Sequence, residues 1–339
     1  MEEISVLETQ RSSAAQSHIA ILDAEMVAAH VDPAGIKAAV ARGFAALARG
    51  LAVQPLQTLV PLPDANGDFI IYSAADYDCG LIGVKVSPYL VKRGQTHGDP
   101  VTAYTLLISL ENGEPVALCD SLALTAHRTA ATTSLAVDHL IGSRTRILAV
   151  IGAGPLARLH LRYELLSRKW EEIRVFSPGL AAEPARIRAW SDVDAMGRLK
   201  VCASVRDALA DADAVMLCTS SGVPVIALDW LSPDVVVTSI STNASLAHEI
   251  APQALSGFQV FCDLRSTAPH QAGEMILAAR DHAWRSETIV ADLSELLSGK
   301  RQGVREGRRF FRSTGLGIAD VAAAAFVQRQ MSSALPEES

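Results

Sequence analysis

The chain has 339 residues, 49% of them hydrophobic and 20% charged, and its formal net charge is −7. This length suits about two domains, and the composition excludes an intrinsically disordered protein. The balance of charge is acidic and no long basic stripe occurs, which excludes a nucleic-acid groove. The longest apolar run, residues 321–327, is too short to cross a bilayer, and the acidic start Met-Glu-Glu-Ile-Ser does not resemble a secretory signal. We therefore expect a cytoplasmic protein without nucleic-acid or membrane partners.

The five cysteines and nine histidines are scattered along the chain. No Cys-x-x-Cys pair, His-x-x-His pair or His-Glu-x-x-His motif occurs, and an odd number of cysteines does not suit a disulfide framework. Free cysteines in apolar runs usually act as small hydrophobic residues. We expect no metal site.

The first 142 residues pass from helical to strand-like spacing. Residues 23–49 predict a helix that is interrupted near Pro33. Short apolar runs at 59–62, 69–72, 82–86, 104–110 and 115–119 then alternate with turn residues, among them Asn66-Gly67 and residues 111–114. The pattern predicts an antiparallel sheet, which is followed by a helix over residues 121–141.

From residue 146 onwards, predicted strands alternate with predicted helices. The strands are expected at residues 147–151, 173–176, 201–203, 214–218, 235–240 and 259–263, and a last helix at 315–330. Alternating units of this length predict a parallel sheet with helices on both faces. The chain is therefore predicted to be α/β, with a strand-rich first part and a doubly wound second part.

A glycine-rich turn follows the first of these parallel strands. In the segment Gly152-x-Gly154-Pro155-Leu156-Ala157, the first glycine permits a tight turn, the second lets a pyrophosphate approach, and the small third position lets helix and strand pack closely. The phosphates would meet the free N–H groups at the start of the helix. The segment predicts a dinucleotide site, and a plain tight turn is the alternative.

The residue after the second parallel strand indicates which dinucleotide is bound. NAD-binding proteins usually carry an acidic residue there, which holds the ribose 2′-hydroxyl. Here Ser177 is followed by Pro178 and Gly179, and the next acid is Glu183. NADP is therefore favoured over NAD, unless Ser177 only caps the next turn.

Small hydroxyl side chains follow two later strands. Thr219 and Ser220 come after the strand at 214–218, and Ser241 comes after the strand at 235–240. Ligands of open α/β sheets bind at the carboxyl ends of the strands, so we expect these residues to contact the cofactor. Helix capping is the alternative.

Four segments of the sequence resemble the ornithine cyclodeaminase and μ-crystallin family, in the order and spacing found there. They are Gly83-Val-Lys85-Val, Leu124-Thr-Ala-His-Arg128-Thr129-Ala-Ala-Thr132, Ile151-Gly-Ala-Gly154 and Ser313-Thr-Gly315-Leu-Gly317-Ile-Ala-Asp320-Val-Ala. The resemblance implies an α+β substrate-binding and dimerisation domain from residues 1–142 and 313–339. It also implies a Rossmann domain from residues 143–312, and a homodimer.

The resemblance also assigns roles to individual residues. Lys85 and Arg128 would bind the substrate carboxylate, and Thr129 and Gly315 would contact the cofactor. A bidentate Arg beside a Lys is a suitable anchor for an α-carboxylate. The alternatives are a surface lysine and a helix arginine paired with an acid such as Asp120.

The sequence also departs from the family at several functional positions, among them Gln57, Asn243 and the apolar segment 69–72, where cyclodeaminases have a glutamate. Gln57 stands where relatives have an arginine that binds the carboxylate, so Gln57 would contact the substrate without a charge. Asn243 replaces the aspartate that carries out acid–base chemistry in cyclodeaminases, and an amide cannot take up that proton. Lys85 is then the remaining candidate for acid–base catalysis, with Asn243 as a neutral hydrogen-bonding partner at the reacting centre.

These features favour an NAD(P)-dependent oxidoreductase that acts on an L-amino acid or its imine, such as an arginine dehydrogenase or a ketimine reductase. Hydride would pass between the nicotinamide and the α-carbon. An ornithine cyclodeaminase-type lyase and a non-enzymatic NADP-dependent binding protein are the alternatives. Turnover of the cofactor would discriminate among them.

Overall fold

The computed structural model describes residues 19–142, 146–194, 196–242 and 244–334, and two β-sheets organise them. The strands of the first sheet are β1 (Ala20–Leu22), β2 (Ala52–Val53), β3 (Thr58–Pro61), β4 (Gly67–Asp76), β5 (Leu81–Leu90), β6 (Tyr104–Ser109) and β7 (Pro115–Asp120). Those of the second sheet are β8 (Ile147–Ile151), β9 (Glu172–Phe176), β10 (Leu199–Val201), β11 (Ala214–Leu217), β12 (Val236–Ser239), β13 (Gln259–Cys262), β14 (Ala291–Asp292) and β15 (Arg309–Arg312).

Helices pack against both sheets. They are α1 (Ala24–His30), α2 (Pro33–Arg49), α3 (Val91–His97), α4 (Leu122–Leu140), α5 (Pro155–Ser167), α6 (Pro184–Ser191), α7 (Val205–Leu209), α8 (Gly273–Asp281), α9 (Leu293–Leu297) and α10 (Gly317–Ala334). Among the described residues, no helix has the length and apolar character needed to cross a membrane.

The predicted interruption of the first helix is confirmed. α1 and α2 are separate helices, and each begins at an aspartate whose side chain accepts hydrogen bonds from the first turn. Asp32 accepts from Gly35 N (2.8 Å), and Pro33 occupies the first helical position, where its missing N–H costs nothing. Gly50 ends α2 in the left-handed conformation.

The first sheet has the predicted antiparallel strands, in the order β1-β7-β6-β5-β4-β2, with β3 also paired to β4. The additional strand β1, which was not predicted, runs parallel to β7. Burial alternates along β4 and β5, so that Tyr72 and Lys85 lie opposite each other on the covered face. A lysine thus occupies a core position in this sheet.

The second sheet is parallel throughout, as predicted, in the order β10-β9-β8-β11-β12-β15-β13-β14. The strand expected at residues 201–203 lies two residues earlier, at β10. β8 is followed in sequence by β9 on one side, whereas β11 is followed by β12 on the other side, so the strand order diverges between β8 and β11. Such a divergence is where ligands of open α/β sheets bind.

β15 was not predicted, although it is an interior strand of the second sheet, between β12 and β13. Its sequence Arg309-Phe-Phe-Arg312 is too charged to be typical of a buried strand. Each arginine nevertheless has a buried partner: Arg309 donates to Leu140 O (3.1 Å), and Arg312 forms an ion pair with Glu274 (3.0 Å). Glu274 lies on α8 and is distant in sequence.

The last helix, α10, returns to the first sheet and packs against α2, β4 and β5. Gln54 Oε1 accepts a hydrogen bond from Ile318 N (2.8 Å) at the start of this helix. A Cβ atom on Gly317 would lie 2.5 Å from the Ser73 carbonyl oxygen, so only glycine permits this approach. The approach places Asp320 of α10 against β5.

Candidate active site

A cavity of about 810 Å³ opens at the carboxyl edge of the second sheet. The turn after β8 and the loops after β9, β11 and β12 form its walls, which is the position expected for a ligand of this type of sheet. Of the predicted cofactor residues, the cavity is lined by Gly152, Gly154, Leu156, Ser177, Thr219, Ser220 and Ser241. Pro155, Ala157, Thr129 and Gly315 lie outside this lining.

The glycine turn has the geometry that a dinucleotide requires. Gly152 has φ +115°, and a Cβ atom there would lie 2.3 Å from Cys218 O. A Cβ on Gly154 would meet nothing within 4 Å, which leaves its backbone open to a pyrophosphate. Gly154 caps α5, Pro155 follows at the first helical position, and Ala157 is completely buried beneath the turn. These residues fit the phosphates of a dinucleotide.

The far wall of the cavity, after β9, carries Ser177, Pro178 and Arg186. Arg186 pairs with Glu183 (2.7 Å), so the first acid after β9 is neutralised and does not line the cavity. None of the described lining residues is acidic. This wall therefore presents the Ser177 hydroxyl, and no carboxylate among its described residues, where NAD-binding proteins place an acid.

A buried cluster of charges lies between β5, α4 and α10. Lys85 Nζ and Arg128 Nε both lie 2.9 Å from the same oxygen, Oδ1 of Asp320. All three residues are at least 96% buried. Lys85 also donates to Thr125 Oγ1 (3.2 Å), and its ammonium lies 4.1 Å from the centre of the Tyr72 ring. Two cations share one carboxylate, so the cluster has a net positive charge that an anion can complement.

Burial lowers the pKa of Lys85 to about 8. This pKa already includes the effect of the Asp320 carboxylate, which raises it by stabilising the ammonium, and that of Arg128, which lowers it by repulsion. A lysine with such a pKa can exchange a proton close to neutral pH. The cluster can therefore bind an anion and transfer a proton.

The loop after β15 connects this cluster to the cofactor cavity. The terminal nitrogens of Arg128 lie beside Gly315, where a Cβ atom would be 2.8 Å from Nη1. Asp263 holds this loop by accepting hydrogen bonds from Thr314 N (2.6 Å) and Gly315 N (3.0 Å). Ser313 N in turn donates to Ser239 O (3.0 Å), at the end of β12. The cluster thus lies at the same edge of the sheet as the cavity.

The remaining predicted residues lie in several places. Gln57 immediately precedes β3, whose first residue pairs with Ile71 next to Tyr72, and its buried Oε1 has no hydrogen-bond partner among the described residues. The Thr129 hydroxyl donates to Thr125 O (2.7 Å). Asn243 lies outside the described residues.

One alternative raised by the sequence is wrong, because Lys85 is not a surface lysine. Arg128 is a helix arginine paired with an acid, as the other alternative expected, but the acid is Asp320 rather than Asp120. Asp120 instead accepts a hydrogen bond from Leu122 N (3.1 Å) at the start of α4. Asp320 lies within one of the family motifs of the sequence. The sequence alone gives it no role, since nothing local shows that it faces two cations.

Known proteins that resemble this chain include enzymes of amino and imino acids. The model of the ornithine cyclodeaminase/mu-crystallin family matches residues 18–334. The NAD(P)H-dependent anabolic L-arginine dehydrogenase of Pseudomonas aeruginosa is 44% identical over 303 residues, which cover 89% of this chain and 93% of that protein. The ketimine reductase mu-crystallin of Rattus norvegicus is 26% identical over 289 residues, or 84% of this chain and 87% of that protein.

A solved structure supports the same fold. The Δ1-pyrroline-2-carboxylate reductase of Thermococcus litoralis, in complex with NADH and L-proline, superposes with a TM-score of 0.85 at 22% identity, over 93% of this chain and 98% of that one. The family match spans nearly the whole chain, and the motifs that suggested the resemblance lie at the cavity and the charge cluster. The chain belongs to the ornithine cyclodeaminase/mu-crystallin family.

Proposed function

We propose that the chain is an NAD(P)-dependent oxidoreductase of L-amino acids or their imines, and that arginine or its imine is its substrate. The observation that carries this proposal is the buried, net positive cluster of Lys85, Arg128 and Asp320 beside a cavity that fits a dinucleotide. The 44% identity to an L-arginine dehydrogenase supports the choice of substrate.

The cluster would bind the substrate through its α-carboxylate. Arg128 uses Nε for Asp320, so its terminal nitrogens are positioned to form a bidentate pair with a second carboxylate. A bound carboxylate would neutralise the excess positive charge, since the site would then hold two cations and two anions. Gln57, with its unpartnered buried oxygen, would accept a hydrogen bond from the substrate.

Lys85 would supply or remove the proton at the substrate nitrogen. When bound, the reduced nicotinamide provides the hydride for the α-carbon. In the reductive direction the protonated lysine keeps the imine protonated and therefore electrophilic. In the oxidative direction the neutral lysine accepts a proton from the amine or the attacking water. The Tyr72 ring stabilises the ammonium within the otherwise low-dielectric site.

Cofactor turnover tests the proposed function. The purified protein is incubated with NADPH or NADH, ammonia and the 2-oxo acid of arginine, and in parallel with cyclic imines, while the nicotinamide absorbance is followed. We expect net oxidation of the cofactor and formation of the L-amino acid. Release of ammonia and proline from ornithine without net cofactor change would show a cyclodeaminase, and binding without turnover would show a binding protein; either result overturns the proposal.

We further propose that NADPH is preferred over NADH, because Ser177 replaces an acid at the far wall. Replacing Ser177 with Asp should shift kcat/KM towards NADH by at least about tenfold, since a carboxylate repels the 2′-phosphate. Ser177→Asn is the matched control. Asn has the same size as Asp but no charge, so this variant should shift the cofactor preference much less. A wild-type preference for NADH, or equal shifts in both variants, would contradict this assignment.

The domain organisation and the assembly also belong to this proposal. Residues 1–142 and 313–339 would form the substrate-binding and dimerisation domain, and residues 143–312 the Rossmann domain, in agreement with the separate strands of the two sheets. Apolar side chains remain exposed on the first sheet, among them Ile21, Val53, Leu59 and Tyr104. Such exposure supports association of two copies through this sheet as a homodimer. We also propose that this homodimer is cytoplasmic.

A further inference from the structure

Glu249 joins the two loops that form one wall of the cofactor cavity. The residue is completely buried. Its Oε1 accepts hydrogen bonds from the backbone N–H (2.8 Å) and the hydroxyl (2.7 Å) of Thr219, in the loop after β11. Its Oε2 accepts from the Ser239 hydroxyl (2.7 Å) and from Ser241 N (2.9 Å), at the end of β12. One side chain therefore connects the carboxyl ends of two neighbouring parallel strands.

Only a carboxylate can satisfy this arrangement. An ionised carboxylate accepts hydrogen bonds at both oxygens, whereas an amide would direct its N–H₂ group at one pair of donors. In the described part of the chain, Glu249 forms no salt bridge, so these four donors compensate for burying its charge. The Thr219 hydroxyl is thereby committed to Glu249, and it supports the cavity wall instead of donating to a ligand.

The backbone of Glu249 holds the first loop at a second point. Its carbonyl oxygen accepts a hydrogen bond from Val225 N (2.8 Å), and Ile226 pairs with Ile250 in an isolated parallel bridge. Val225 lines the cavity, as Thr219 does. Both ends of the loop 219–225 are thus attached to one short segment of chain.

The second loop is held in a strained conformation. Ser241 has φ +50°, which residues other than glycine rarely adopt, and its N–H is the group that Glu249 binds. Its hydroxyl oxygen is buried at the cavity without a hydrogen-bond partner among the described residues. A buried hydroxyl without a partner destabilises the fold, so this conformation does not serve stability. It leaves the Ser241 hydroxyl available to a ligand in the cavity.

We propose that Glu249 is a positioning residue, which fixes the separation of these two loops around the nicotinamide half of the cofactor. This inference rests on the proposed function of the cavity. With the pyrophosphate at the β8 turn and the adenosine at the β9 side, the other half of the dinucleotide falls between Thr219 and Ser241. Loops that are fixed before binding need not be ordered by the cofactor, and they hold the ring at reacting distance.

The test compares Glu249→Gln with the wild-type protein in three measurements. These are the affinity for the reduced cofactor, the affinity for its adenosine half (2′,5′-ADP for NADPH, 5′-ADP for NADH), and kcat. We expect kcat to fall about 100-fold, because a displacement of the order of 1 Å has that effect on hydride transfer. The whole cofactor should bind more weakly, while the adenosine half should bind equally well within about twofold. The deuterium isotope effect from cofactor labelled at nicotinamide C4 should rise, since hydride transfer becomes slower than the other steps.

Asp213→Asn is the matched control, because Asp213 accepts hydrogen bonds from two backbone N–H groups at the opposite edge of the same sheet. Both hydrogen bonds go to Oδ2, which the oxygen of an amide can replace, so this variant should alter neither the isotope effect nor the affinity for the cofactor. If Glu249→Gln weakens the whole cofactor and its adenosine half equally and leaves the isotope effect unchanged, Glu249 only stabilises the fold and the inference is wrong. If the wild-type protein binds neither molecule, the proposed function fails instead.

Discussion

Arg128→Ala should raise the KM for the amino or imino acid by roughly 30-fold to several-thousand-fold, or abolish turnover, while the affinity for the reduced cofactor stays nearly unchanged. Removing one partner of a desolvated charge pair costs about 2–5 kcal/mol, which corresponds to this range. The structure supports a selective effect, since Arg128 borders Gly315 and Asp320 but does not line the cofactor cavity. Steady-state kinetics and a separate cofactor titration measure the two quantities.

Two further variants show whether the effect comes from carboxylate recognition. Arg128→Lys keeps the charge but loses the planar fork, so it should recover only part of the activity. Arg168→Ala removes another mostly buried arginine, which pairs with Asp138 and Glu164, and it should affect stability without changing KM. If Arg128→Ala lowers the melting temperature and leaves the kinetics of the folded fraction unchanged, Arg128 is a structural residue.

The sequence predicted most of the fold, because most elements carry a local pattern. The antiparallel run of the first sheet and the βα units of the second were both visible in the apolar spacing. β15 was missed because the arginines at its ends find their partners on α8 and at the end of α4, which no local pattern can show. β1 was missed because three residues are too few to show a period.

The candidate site was predictable to the extent that glycine geometry and cationic side chains are recognisable in sequence. The glycine turn and the small hydroxyl residues indeed line the cavity. The carboxylates that organise the site were not predictable. Asp320 is 235 residues from Lys85 and 192 from Arg128, and Glu249 is 30 residues from Thr219. An isolated acidic residue on an apolar helix or in a loop gives no indication of which distant donors surround it.

Replacing Asp320 with Asn should move the pH dependence of imine reduction to lower pH. In the wild-type protein Lys85 has a pKa of about 8, and the Asp320 carboxylate raises this pKa against the effect of burial. Carboxylate binding and protonation of the imine both require the ammonium form, so kcat/KM should fall as the pH rises through about 8. Without the carboxylate the pKa of Lys85 is lower, and the same fall should therefore occur at lower pH.

The same substitution should also make stability depend on anions. Asp320→Asn leaves Lys85 and Arg128 buried without a counter-ion, and breaking such a pair usually costs about 3–5 kcal/mol. An added carboxylate that binds the native state should stabilise the variant by mass action and restore part of this loss. The stabilisation should be larger in the variant than in the wild-type protein. Thermal unfolding with and without a substrate-like carboxylate measures this difference.

Thr125→Val shows whether a shift in the pH profile comes from the charge of Asp320 or from the loss of any hydrogen bond to Lys85. Thr125 is the neutral partner of Lys85, with its Oγ1 3.2 Å from the ammonium, and its loss removes a hydrogen bond without altering the charge balance. The pH profile of Thr125→Val should therefore stay close to that of the wild-type protein. A profile of Asp320→Asn that also stays in place would mean that Lys85 does not control the reaction, because its proton affinity cannot be insensitive to a charge 2.9 Å away.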